Sequence, residues 1–209
     1  MCRIPASATI AFTSFATAVC YAASFPSLAP YLAHLEGLAS TSKTSHLLGL
    51  AVALLSAAKV VVAPFAGRAV SCWGIRLTLT AQTVLLCLAN AMYAHAPDVI
   101  WVLVARVALG VASCNSTACR AWVAAQQHGG SRGRARLTAM LTSATTIGFV
   151  AGPLFGAALF ETVPLLGHAA NSTLSEYVSY RGPGWLGVAL GLLNLGALLI
   201  TRPLDPRRP

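Results

Sequence analysis

The chain has 209 residues, 56% of them apolar and only 9% charged, with a mean hydropathy of +0.71. A soluble domain is about a quarter charged, so 19 charged side chains (14 basic, 5 acidic) cannot coat a water-facing surface of this size, and disorder, coiled coil, collagen and a disulfide-dense secreted scaffold are excluded with it. The net charge of +9 does not mark a nucleic-acid binder, because the basic residues stand in small groups between apolar runs and not on one face with interleaved aromatics.

Six apolar stretches follow one another: Ala8–Leu32, Ser45–Ala66, Arg76–Ala96, Val99–Ala125, Leu137–Phe160 and Gly184–Arg202. Each approaches or exceeds the roughly 20 residues needed to cross about 30 Å of hydrocarbon. The runs are continuous, Ala/Leu-rich and too long for barrel strands. The expected fold is an all-α membrane protein, a single bundle of six transmembrane helices embedded in lipid. The first stretch begins after Arg3, and Ala22-Ala23-Ser24 resembles a cleavage region. The apolar run nevertheless continues through Phe25 to Leu32, which is too long for a signal peptide and predicts a retained helix with proline breaks at its far end.

The loops carry a strong charge bias. With both termini cytoplasmic, the inner segments hold nine basic residues, among them Arg68, Arg76, Arg132, Arg134 and Arg136, and the outer segments hold only Lys43 and Arg181. Such an excess predicts both termini inside. The longest loop, about Glu161 to Pro183, then faces outward, and its Asn171-Ser172-Thr173 is a candidate glycosylation site. A second such tripeptide, Asn115-Ser116-Thr117, falls in the middle of the fourth stretch and is expected to be inaccessible. Of the six cysteines, Cys2 and Cys72 lie in polar flanks, and Cys20, Cys87, Cys114 and Cys119 lie in apolar runs; none has metal-site spacing, and no metal or cofactor is expected.

Three cations lie inside apolar stretches. A charge at bilayer depth costs at least about 2.5–3.5 kcal/mol and usually faces a bundle interior or an aqueous cavity. Arg120 is close enough to the inner end of its helix to snorkel. Lys59 admits both readings. Arg106 lies about 10 Å deep at 1.5 Å per residue, a long reach for snorkelling. No carboxylate and no histidine stands at the middle of a stretch. A cavity formed by Arg106, Lys59 and Asn115 therefore favours an anionic solute over a proton. In the fifth stretch Gly148, Gly152 and Gly156 recur every four residues on one face that admits a close neighbour, and Pro153 predicts a bend.

Six helices with these motifs resemble the N-terminal half of the major facilitator superfamily. Gly67-Arg68-Ala69-Val70-Ser71-Cys72-Trp73-Gly74-Ile75-Arg76, read as the loop between the second and third helices, is similar to the family's G-x-x-x-D-R-x-G-R-R element. Gly67, Gly74 and Arg76 match; Ser71 replaces the Asp and Cys72 the Arg, which removes the charges that latch this gating loop in the family. Arg106-Val107-Ala108-Leu109-Gly110 resembles the family's R-x-x-x-G motif and implies a buried, cavity-side Arg106. Gly148 to Gly156 matches G-x-x-x-G-P-x-x-G in full. Short patches (Ser27 to Leu32, Leu103 to Val111, Gly148 to Pro153) resemble the lysosomal group linked to neuronal ceroid lipofuscinosis, which implies an endolysosomal or vacuolar membrane and anion passage.

The resemblance implies a carrier of a small-molecule or ion substrate working by alternating access. Complete members have two six-helix halves with the solute between them. The chain is accordingly expected to be a truncated product, or else to pair with a second half or with its own copy. The alternative is a non-transporting partner or regulator of a full carrier. An enzyme is not expected: no zinc-type HExxH, nucleophile elbow, paired intramembrane acids or phosphate loop occurs.

Overall fold

The computed structural model describes residues 5–37, 41–125, 130–166 and 172–201, with side-chain surroundings for 5–35, 37, 43–125, 130–160 and 180–201. The described residues are helical almost throughout: α1 (Ala6–Ala22), α2 (Phe25–Glu36), α3 (Thr41–Trp73), α4 (Ile75–Ala94), α5 (Val99–Ala112), α6 (Asn115–Ala125), α7 (Gly130–Leu166) and α8 (Ser172–Ile200). They make six apolar spans, with α1 and α2 forming the first and α5 and α6 the fourth. Large apolar side chains such as Val60, Phe65, Ile100, Val150, Leu154 and Leu193 lie exposed on the outside, as expected of spans surrounded by lipid or by further apolar helices.

Several expected boundaries move. The first span is interrupted at Ala23-Ser24, where Pro26 lacks an N–H and its ring crowds the carbonyl of Ala22. The fourth is interrupted at Ser113-Cys114 with no proline at all. Here hydroxyls compete for backbone carbonyls: Ser113 Oγ donates to Gly110 O at 2.8 Å and Ser116 Oγ to Ser113 O at 3.4 Å. Both turns are buried, as irregular backbone at membrane depth must be.

The segment expected to be a loop after the second helix is helical instead. α3 continues to Trp73, since nothing between Gly67 and Trp73 breaks it, and the turn reduces to Gly74 alone. Gly74 has φ 84° and ψ 160°, a conformation that side-chain-bearing residues avoid. The long loop expected at Glu161–Pro183 is likewise mostly helical, because α7 extends to Leu166 and α8 starts at Ser172. Asn171 lies outside the described residues. α7 runs through Pro153 as one uninterrupted helix.

Three helix pairs organise the bundle. α1 runs parallel to α7, α3 parallel to α5, and α4 antiparallel to α8. Exchanging the first three spans for the last three maps these three pairs onto one another, as two repeated three-helix units would, while α4 packs on α5 as extensively as α3 does. At the α1–α7 seam, a Cβ on Gly148 would meet Ala18 and the Phe15 carbonyl. On Gly152 it would meet Ala22, and on Gly156 the backbone of Ala23. The α1 side of this contact is built from Ala18, Ala22 and Ala23, so backbones approach with almost nothing between them. In the α4–α8 pair, Gly187 makes room for the Asn90 side chain.

The two ends of the bundle differ in chemistry. One end, where α5 starts at Asp98, holds an aromatic cluster: Tyr31 stands edge-on to Tyr93 and stacked on Tyr180, which also stacks on His34. The other, where α7 starts and Arg134 lies, is tied together by polar groups. Thr9 Oγ1 and Thr201 Oγ1 are 2.7 Å apart. Thr13 Oγ1 donates to Asn194 Oδ1 at 2.8 Å, and Asn194 Nδ2 donates to Thr83 Oγ1 at 3.1 Å, which links α1, α8 and α4.

Candidate functional site

Arg106 lies on the buried face of α5, one turn before Gly110, whose missing side chain lets α5 rest on Leu55 and Ala58 of α3. Its side chain is only 1% exposed. The guanidinium carbon sits 5.0 Å from the centroid of the Tyr93 ring, and none of Nε, Nη1 or Nη2 has a hydrogen-bond partner. The Tyr93 hydroxyl lies 3.5 Å from Ser27 Oγ and interacts electrostatically with the guanidinium. Ser24 Oγ, in the turn between α1 and α2, is also buried without a partner. Among the described residues no carboxylate reaches this interior; Asp98, at the start of α5, is exposed. A planar five-donor cation held over an aromatic face is attracted by the ring quadrupole. That leaves its in-plane N–H groups unused, and a buried unpaired guanidinium is costly. What such a group lacks is an acceptor, preferably an anionic one.

The sequence places Arg106 on the side of a solute cavity; in this structure its side chain is enclosed by Tyr93 and the core of α2, α4 and α5. Lys59 is half-buried on α3, with Nζ 5.6 Å from the Tyr21 ring centroid, so Lys59 and Arg106 each rest on a tyrosine. Lys59 O accepts the Cys114 thiol at 3.7 Å, which places this part of α3 against the α5–α6 turn. Asn115 is not in mid-helix but begins α6. It is fully buried, its amide donates to Thr17 Oγ1 at 3.4 Å, and its Oδ1 has no partner. Asn115, Lys59 and Arg106 thus gather around the two buried turns, although no contact joins them directly.

The remaining candidates take structural places. Gly67 and Ser71 lie on the last turns of α3, where Ser71 Oγ donates to Gly67 O at 3.3 Å. Arg76 Nη2 donates to Leu199 O at 3.0 Å, so it caps the last turn of α8. Gly148, Gly152 and Gly156 form the α1–α7 seam, with Pro153 half-buried beside it. Two features had no signal in the sequence. Tyr31, Tyr93 and Tyr180 are far apart in the chain and each near a span end, where aromatics are ordinary interface residues. The Asn194–Thr13–Thr83 link joins single polar residues of three spans and has no local pattern.

The profile of the Major Facilitator Superfamily matches residues 10–209. The fold resembles the crystal structure of the human organic anion transporter MFSD10 (TETRAN), with a TM-score of 0.71 and 18% sequence identity over 92% of this chain and 46% of that one. The chain therefore spans about half the length of that structure. No curated protein matches the chain. With six apolar helices, paired as above, and a profile that runs almost from end to end, this multi-pass membrane protein belongs to the Major Facilitator Superfamily, of whose fold it forms one half.

Proposed function

We propose that the chain acts as half of a transmembrane carrier that moves a small anionic solute by alternating access against a second six-helix half. The observation that carries this reading is Arg106: a guanidinium 1% exposed, seated on Tyr93, with every nitrogen unpartnered. An anion reaching it would satisfy donors that the protein leaves empty. The sealed position fits an occluded conformation, and the buried turns at Ala23-Ser24 and Ser113-Cys114 are where the bundle would give way to admit the solute. Lys59 and Asn115, beside the second turn, extend the polar interior. That the similar human structure is an organic anion transporter agrees with the sign of the charge. The nine-to-two distribution of basic residues supports both termini in the cytoplasm. The resemblance to the lysosomal group supports an endolysosomal membrane, with Asn171 glycosylated on its lumenal face.

Reconstitution into liposomes tests the reading. Uptake of labelled chloride or a labelled dicarboxylate should appear with the chain alone or co-expressed with a second half, and Arg106→Ala should abolish it at unchanged expression. Absence of anion flux in both preparations overturns it. So does a cysteine at position 106 that stays unreactive to thiol reagents from both sides of the membrane.

A second reading, a non-transporting partner of a full carrier, is favoured by one observation. Ser71 and Cys72 stand where the family places a carboxylate and a guanidinium, and the Ser71 hydroxyl turns back on its own helix. Co-purification with a complete carrier, without intrinsic flux, would establish it.

A further inference from the structure

We propose that Tyr93 is a positioning residue for Arg106: together with Tyr31 and Tyr180 it closes the way by which the guanidinium would otherwise turn out to the membrane surface. The proposal rests on the reading of Arg106 as an anion site and concerns how that site is kept.

An arginine at this place has reason to leave. Arg106 lies seven residues after Val99, where α5 starts, or about 10 Å from that end at 1.5 Å per residue. Helical side chains lean toward their own N-terminus, which for α5 is the Asp98 end. At such a depth a long apolar stem normally carries its charged head to the interface. Arg106 instead stays 1% exposed, with no hydrogen bond on any of its nitrogens. The Tyr93 ring, its centroid 5.0 Å from the guanidinium carbon, attracts the cation. That attraction is smaller than the hydration a guanidinium regains at the surface. Attraction alone does not keep Arg106 inside; the filled space beyond it does.

Rings from three other helices fill that space. Tyr93 of α4 stands edge-on to Tyr31 of α2, with centroids 5.4 Å apart and planes at 74°. Tyr31 stacks on Tyr180 of α8 at 5.8 Å and 16°. The column is anchored at its sides: the Tyr31 hydroxyl donates to Ala96 O at 3.0 Å, and the Tyr93 hydroxyl lies 3.5 Å from Ser27 Oγ. On α5 itself, Val102 and Val99 stand one and two turns outward from Arg106, both buried in the same core cluster as Tyr31 and Tyr93. A carboxylate in place of Tyr93 would also hold the cation, but it would occupy the N–H donors. A ring holds by its face and takes none of them. The column thus fixes the guanidinium and leaves its hydrogen-bonding edge for a ligand.

The test uses the full chain in phosphatidylcholine nanodiscs with arginine labelled with nitrogen-15. The Arg106 Nε–H resonance is identified by its loss in Arg106→Lys, and its exchange with water is measured beside anion flux in liposomes. Tyr93→Leu and Tyr31→Ala should each speed that exchange about tenfold or more, and Tyr93→Leu should lower flux about tenfold or more. Tyr93→Met, with its adaptable side chain, takes the place of Leu where Leu does not fold. Tyr93→Phe keeps the ring and loses only the long contact to Ser27, so both readings should stay within about twofold. Leu79→Ala opens a hole in the separate core cluster around Trp122; it should lower the unfolding midpoint yet change the exchange less than about twofold. Unchanged exchange in either Tyr93→Leu or Tyr31→Ala overturns the proposal. So does an equal loss in Tyr93→Phe, which would assign the hold to the hydroxyl, or equal acceleration in Leu79→Ala, which would show only general loosening. Fast exchange with undiminished flux in Tyr93→Leu also overturns it. Absence of flux in the unaltered chain removes the anion-site reading instead, and the exchange rates still decide whether the column holds Arg106.

Discussion

The two ends of the bundle are held together by different means. Toward the Asp98 end, α1 and α7 meet backbone to backbone at Gly148, Gly152 and Gly156, and tyrosine rings fill the remaining space. Toward the Arg134 end, the ties are individual polar bonds (Thr9 to Thr201, Thr13 to Asn194 to Thr83, Arg76 to Leu199), and α6 parts from α7 to leave a cleft. Close backbone contact admits no extra atom, whereas hydrogen bonds between side chains can lengthen, exchange or take up water. The contrast assigns rigidity to one end and adjustability to the other.

The largest expected effect breaks the rigid end. Gly156→Leu would drive a side chain into the Ala23 backbone and should destabilise the protein by about 3 kcal/mol, read as a lowered unfolding midpoint in detergent. Thr138→Leu, on the cleft wall, should leave the midpoint nearly unchanged, and equal losses at both sites would erase the distinction. Next, Arg106→Met removes an unpaired buried charge and should stabilise the bundle by about 2 kcal/mol while abolishing anion flux. A midpoint that falls would mean that the guanidinium is already paired inside the core. At the polar end, Asn194→Leu deprives Thr13 and Thr83 of their common partner and should cost about 1 kcal/mol, again by detergent unfolding. The smallest effect is at Arg76: loss of its bond to Leu199 O in Arg76→Gln should cost about 0.5 kcal/mol and speed hydrogen exchange of the last turn of α8 while the Gly148–Gly156 region stays protected.

The sequence made the spans legible because bilayer thickness imposes a length and a hydropathy that survive any packing arrangement. Gly148, Gly152 and Gly156 were legible for a similar reason: spacing by four on a helix puts small residues on one face wherever that helix lies. Their partner was not, since Ala18, Ala22 and Ala23 are unremarkable in an alanine-rich span. Helix ends were read poorly. Gly67 and Arg68 suggested a loop, but one glycine and one arginine do not end a helix, and only the backbone angle at Gly74 does. The depth of Arg106 was visible by counting residues from Val99. Its sealing was not, because that depends on Tyr93, which belongs to another span. Arg120 and Arg134 are legible only singly, one as a snorkelling residue and the other as a loop charge, since nothing local shows that α6 and α7 line one cleft.

The crossed pairing of the helices also sets a timetable for synthesis. Each principal pair joins one span from the first three with one from the last three. Ala18 therefore enters the membrane about 130 residues before Gly148 leaves the ribosome, a wait on the order of ten seconds at translation rates of about 5–20 residues per second. During that interval the alanine face of α1 is open to lipid or to insertase and chaperone surfaces, and nascent-chain crosslinking at Ala18 should lose those neighbours only once α7 has been released.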